Sequence, residues 1–246
     1  MNTKEMQEAI GTTPDGIPGP KTYAALRAAG FEVMIDPGHT RDHAREHPQA
    51  WPRGYWQREP GLSVAEALGI SEATEDSVEH ALNLRLATLL AARLEQAGIK
   101  VLLYDEPGLG NNDEINRVCR YCREARPRVF LSLHANASLG IESSASNTAC
   151  GTIAYYAPGS GCGETLARRL SSALVDYRRR TGGPHNRADL AQPGRYSVLT
   201  HCPEGTAGAL VEVGFYDHDE DLRYMATHGP GMADALAEAL LTHLNG

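Results

Sequence analysis

This sequence predicts an α/β architecture: a mostly parallel twisted sheet flanked by helices, with a small helical segment in front. Three observations carry that expectation. From residue 31 onward, short apolar runs of strand length alternate with longer stretches of helical period. The clearest of these stretches, residues 79–97, sets Leu82, Leu86, Leu89, Leu90 and Leu94 on one stripe and stops at Gly98. The first thirty residues are rich in turn formers and stand apart from the alternation. Alternation of this kind is what a layered fold with a parallel sheet requires. No internal repeat or low-complexity tract competes with it.

The elements follow in order. A short helix over residues 6–10 leads into Thr13-Pro14-Asp15-Gly16-Ile17-Pro18-Gly19-Pro20, a turn-rich segment, and a second helix over 21–29 ends at Gly30. The stretch Asp15-Gly16-Ile17-Pro18-Gly19-Pro20-Lys21-Thr22 resembles the D-G-x-x-G-x-x-T hallmark of the small helical peptidoglycan-binding module. Residues 1–30 are therefore expected to be a short wall-binding-like segment, and residues 31–246 the main domain. In that domain strands are expected at 31–35, 99–104, 129–133, 151–156, 196–199 and 209–213. Further helices are expected at 113–125, 164–180 and 231–244. Residues 40–78 interrupt the pattern. Pro48, Pro52 and Pro60 forbid one long helix there, and Trp51, Tyr55 and Trp56 either line a groove or form a small core under the long connection.

Composition narrows the function. The 246 residues are 41% hydrophobic and 22% charged, an ordinary globular mixture. A net charge of −8 repels phosphate backbones and argues against nucleic acid as a partner. The basic pairs and triplets, Arg168-Arg169 and Arg178-Arg179-Arg180, are read as a solvated helix face. Residues 1–7 carry no apolar signal region, and no run is long and apolar enough to span a membrane. Five cysteines, an odd number, speak against a complete disulfide framework and for synthesis among reduced thiols. Cys119 and Cys122 fall on the apolar face of a helix with Ile115 and Val118, as small hydrophobes do.

The chemistry-bearing residues fall where an open α/β sheet places its site, at the carboxyl ends of the strands. His39 follows the first strand through Asp36-Pro37-Gly38; His134 ends the strand at 129–133; Glu212 sits inside the apolar run Ala209-Leu210-Val211-Glu212-Val213. A carboxylate among buried neighbours is costly unless a cation or a catalytic role accounts for it. Glu79 opens the long helix and can join them. Two histidines and a carboxylate leave one position of a zinc ion open, the pattern of a catalytic site. The run His43-Ala44-Arg45-Glu46-His47 fits the inverted zinc-peptidase motif, but Pro48 follows at once and denies it a continuous helix.

Four blocks then resemble, in order, those of the zinc-dependent N-acetylmuramoyl-L-alanine amidases of the amidase family 3 type, found in cell-separation enzymes, spore enzymes and phage lysins. They are Ile35-Asp36-Pro37-Gly38-His39; Glu79 with Leu82 and Leu84; Ser132-Leu133-His134-Ala135-Asn136-Ala137; and Val211-Glu212-Val213-Gly214-Phe215. The resemblance implies Zn2+ held by His39, Glu79 and His134, with Glu212 as the catalytic base, and peptidoglycan as the partner of a monomeric enzyme. Ser132 and Asn136 would support the ligands. The chain departs from the family in residues 40–78, an apparent insertion between His39 and Glu79, and in His80, where the family often has lysine. With no export signal and only a short segment after the third block, the expected setting is a phage or prophage lysin reaching the wall once the membrane is permeabilised. A zinc peptidase of the stem peptide and a non-catalytic wall-binding protein are the alternatives.

Overall fold

The computed structural model describes residues 1–39, 64, 66–69, 75–106, 108–109, 111–137, 148–186 and 191–246. Trp51, Tyr55, Trp56 and the run from His43 to His47 lie outside these residues, as does most of the 40–78 insertion. The elements run α1 (Thr3–Ala9), α2 (Pro20–Ala29), β1 (Val33–Pro37), α3 (Glu75–Gln96), β2 (Val101–Leu103), α4 (Asn111–Ala125), β3 (Val129–Asn136), β4 (Ile153–Tyr156), α5 (Gly161–Thr181), β5 (Ala191–Pro193), α6 (Ser197–Thr200), β6 (Ala207–Phe215) and α7 (Asp219–Asn245).

The strands form one six-stranded sheet in the order β2-β1-β3-β6-β4-β5. β2, β1, β3 and β6 are mutually parallel; β4 runs antiparallel to β6 and carries β5 parallel to itself. Helices α3, α5 and α7 cover one face, and α4 and α6 with the N-terminal pair cover the other. This is the expected α/β layer fold with a largely parallel sheet. Strand residues alternate between the two layers, as a period of two demands. On β3, Val129, Leu131, Leu133 and Ala135 belong to the core under α3, α5 and α7, while Phe130 belongs to the core under α4.

Three elements differ from the sequence reading. Residues 196–199, expected as a strand, form the one-turn helix α6, and the neighbouring strand is β5 at Ala191–Pro193. A three-residue edge strand ending in proline has no alternation to read. Helix α7 starts at Asp219, twelve residues before the expected start, and carries Pro230 inside it. Proline has no N–H for the carbonyl four residues back, which is why it reads as a helix start. Here the Ala226 carbonyl accepts instead from Arg85 Nη1 of α3, at 3.1 Å. The basic triplet is also corrected: Arg179 and Arg180 are exposed, but Arg178 is fully buried.

The N-terminal pair packs on the α4 face, where Met6 and Leu26 join Met34, Leu102, Tyr121 and Phe130. Its turn is held by one buried side chain. Gln7 Nε2 donates to Asp15 Oδ1 at 2.9 Å and to Thr22 Oγ1 at 3.2 Å, and Gln7 Oε1 accepts from the Gly16 N–H at 2.8 Å. The polar positions of the D-G-x-x-G-x-x-T stretch thus clamp the loop between α1 and α2. Gly16 adopts φ 77°, a conformation that glycine reaches without strain.

Candidate metal centre

The parallel register collects the polar residues at the carboxyl edge of the sheet. Asp36 on β1 lies beside Ser132 on β3, and His134 on β3 lies beside Glu212 on β6. All four occupy the alternate positions of their strands, on the α4 side of the sheet, opposite the layer that holds Ile35, Leu133 and Val211. His39 follows β1 through a tight turn and takes φ 64°, uncommon for a residue with a side chain. Glu79 comes from the first turns of α3, with its carboxylate buried.

His39, Glu79 and His134 each offer one ligand atom, and these atoms lie within 4.8 Å of one another. Glu79 Oε1 is 3.5 Å from His39 Nε2 and 3.5 Å from His134 Nδ1. Two ligand atoms about 2.1 Å from one tetrahedral ion stand about 3.4 Å apart, so the spacing suits a single small divalent cation. The imidazoles meet edge to face, with centroids 4.9 Å apart. The side chains of His39 and His134 keep 26% and 17% exposure while Glu79 keeps 4%, so the cluster opens to solvent on the histidine side.

The groups shift one another. Burial alone would push the Glu79 carboxyl up. The charge of His39, the hydrogen bond and charge of His134, and the Ala135 N–H outweigh it and hold Glu79 below the usual carboxylate range. Burial disfavours a charged His134, but Glu79, Glu212 and Asp36 push it up to about 9. Burial pushes Glu212 up to about 7, with His134 opposing and Glu79 adding. Glu212 Oε2 is buried and has no hydrogen-bond partner among the described residues. An ionisable carboxyl poised near neutrality beside a ligand cluster is what a proton-transferring group needs.

The turn bearing His39 is held from α3. Asn83 Nδ2 donates to the Gly38 carbonyl at 3.0 Å, and His80 Nδ1 lies 2.7 Å from the His39 carbonyl. His80 Nε2 in turn stands 3.3 Å from Asp105 Oδ1. Asn83 and Asp36 were not singled out in the sequence. Asn83 stands four residues after Glu79, on the same helix face, and that spacing was the available signal. Gly38 leaves no room for a side chain, since a Cβ there would sit 2.0 Å from His134 Cε1 and 2.1 Å from Nε2. Gly38→Ala is therefore expected to displace the His134 ring and weaken divalent-metal uptake at least ~10-fold. Metal titration of the purified variant checks this, and unchanged affinity would show that the ring is not packed on Gly38.

The family model described as N-acetylmuramoyl-L-alanine amidase matches residues 33–242. Among solved structures, the fold is similar to the N-acetylmuramoyl-L-alanine amidase from Clostridium difficile 630, with a TM-score of 0.62, 19% identity, and 88% of this chain and 98% of that one covered. It is also similar to the amidase AmiC2 of Nostoc punctiforme, with a TM-score of 0.60, 20% identity, and coverage of 88% and 98%. The catalytic domain of the CD27L endolysin, which targets Clostridia difficile, is similar at a TM-score of 0.55 and 22% identity, covering 67% of this chain and 83% of that one. No curated protein matches the chain.

Proposed function

The chain belongs to the N-acetylmuramoyl-L-alanine amidase family, and on that premise we propose that it hydrolyses the amide between the lactyl group of N-acetylmuramic acid and L-alanine of the peptidoglycan stem peptide. The observation that carries the reading is the close set of His39, Glu79 and His134 with Glu212 on the adjacent strand, whose Oε2 has no hydrogen-bond partner among the described residues. His39 through Nε2, His134 through Nδ1 and Glu79 through Oε1 would hold Zn2+; two imidazoles and one carboxylate are a donor set that zinc accepts in catalytic sites. Zinc, when bound, supplies Lewis acidity toward a carbonyl and acidifies water.

The protein's own steps follow from placement. Glu212 Oε2 takes the proton from the attacking water and passes it to the departing nitrogen of L-alanine. One group serves both steps because burial keeps its carboxyl near neutrality, where accepting and releasing a proton are both accessible. His80 and Asn83 hold the turn that aims His39, and Glu79 is fixed by the Ala135 N–H at 3.2 Å.

Purified peptidoglycan treated with the protein is expected to release free stem peptides beginning with L-alanine, read by mass spectrometry. A chelator should abolish the release, and about one equivalent of zinc per chain should restore it. Cuts inside the stem peptide would instead assign a peptidase. Wall binding without release would assign a binding protein.

A further inference from the structure

The edge of His134 that faces away from the ligand cluster meets a buried polar chain. His134 Nε2 lies 3.1 Å from Ser132 Oγ, and Ser132 Oγ donates to Asp36 Oδ2 at 2.8 Å. Ser132 is fully buried, and Asp36 keeps 4% exposure. The two are register partners on β3 and β1, so the pairing is built into the sheet rather than into a mobile loop.

The direction of this chain follows from what each group can do. A hydroxyl has one proton to give, and Ser132 Oγ gives it to Asp36 Oδ2. With that proton committed to Asp36, Ser132 Oγ can only accept from its other neighbour. The neighbour is His134 Nε2, which must then carry a proton. A neutral imidazole protonated on Nε2 presents its lone pair on Nδ1, the atom 3.5 Å from Glu79 Oε1. We propose that Asp36 and Ser132 form a positioning relay that fixes the Nε2–H form of His134, orients its ring, and so sets the cation affinity of the site. The relay rests on His134 being a ligand through Nδ1.

The direction of the relay does not depend on the charge of Asp36: an imidazole that ligates a cation through Nδ1 carries its proton on Nε2, so Ser132 Oγ accepts there and gives its own proton to Asp36 Oδ2. Burial pushes the Asp36 carboxyl above the usual carboxylate range and Asp105 adds to it, with His134, the Ser132 hydroxyl and His80 opposing. The relay also gives the Asp36-Pro37-Gly38-His39 segment two tasks. His39 contributes directly, while Asp36, three residues earlier, acts on the other histidine ligand through a different strand.

The test uses Ser132→Ala, Ser132→Thr and Asp36→Asn in the whole chain, with zinc affinity measured by competition against a chelator of known strength. Ser132→Ala is expected to bind zinc about 10- to 100-fold more weakly, as loss of a partner to a ligand does elsewhere, and Ser132→Thr, which keeps the hydroxyl, to bind within about threefold of the parent. Asp36→Asn should weaken binding as well, because its amide can donate to Ser132 Oγ and turn the hydroxyl proton toward His134 Nε2. In the zinc-loaded parent, proton–nitrogen NMR should show a slowly exchanging His134 Nε2–H that Ser132→Ala loses, a signal that a packing role would leave unchanged. Zinc binding by Ser132→Ala as tight as the parent's, or a His134 that is unprotonated at Nε2 in the loaded parent, overturns the relay alone. A parent protein that takes up no zinc overturns the metal reading itself, and the relay with it.

Discussion

Replacing Glu212 with glutamine is expected to lower kcat on peptidoglycan by about 10²- to 10⁴-fold, the range that a positioned proton-transfer group supplies. Zinc content should stay near that of the parent, because Glu212 is outside the three-residue ligand cluster. The same substitution should leave the thermal midpoint unchanged or raise it. Glu212 Oε2 is a buried carboxylate oxygen with no partner among the described residues, and an isosteric amide removes the cost of burying its charge. A midpoint that holds or rises while turnover collapses is the signature of a group kept for chemistry at some expense of stability. Two results would sink the assignment: retained turnover, or loss of the metal along with activity, which would make Glu212 a ligand.

The second large effect lies in the interior. Arg178 Nη1 and Asp221 Oδ1 are 2.6 Å apart, and neither side chain is exposed. Arg178 also donates to the Pro184 carbonyl at 2.9 Å and the Val213 carbonyl at 2.5 Å, and its guanidinium lies 4.7 Å from the Tyr224 ring centroid. Asp221 Oδ2 accepts from the Gly151 and Phe215 N–H groups at 2.7 and 2.9 Å. The pair therefore joins α5 and α7 to the end of β6 and to the residue that leads into β4. Arg178→Met strands a buried carboxylate and should cost about 3–5 kcal/mol, a fall in thermal midpoint of roughly 10 °C for a chain of this size. Adding Asp221→Asn should recover part of the loss, since the amide oxygen can still accept one backbone N–H without a charge. Thermal melts of the parent, the single variant and the double variant check this. A loss below about 1 kcal/mol in the single variant would show that the pair contributes little beyond the packing of its stems.

Much of the site could be read from the sequence because its residues sit at positions that a parallel sheet makes equivalent. His39, His134 and Glu212 each lie at or near the carboxyl end of a strand, and strand ends in one layer converge whatever the register. Glu212 also broke an apolar run, a local anomaly that needs no structure to notice. What was hidden depends on partners distant in sequence. The Ser132–Asp36 contact needs the β1–β3 register, and Arg178 looked like its exposed neighbours Arg179 and Arg180 until its carboxylate was placed beside it. Gln7 gave no signal either, for its side-chain partners lie across a turn. The misread elements are the shortest and the one broken by proline, where the local pattern is too brief or too interrupted to carry a period.

The contact between Arg85 and the Ala226 carbonyl spans 141 positions. Until α3 docks, the carbonyl opposite Pro230 has no partner within its own helix and must turn to solvent. Helix α7 is therefore completed by a side chain from the first half of the chain, six residues after Glu79 on the same helix. The helix that completes α7 is thus the helix that carries the Glu79 carboxylate to the two histidines.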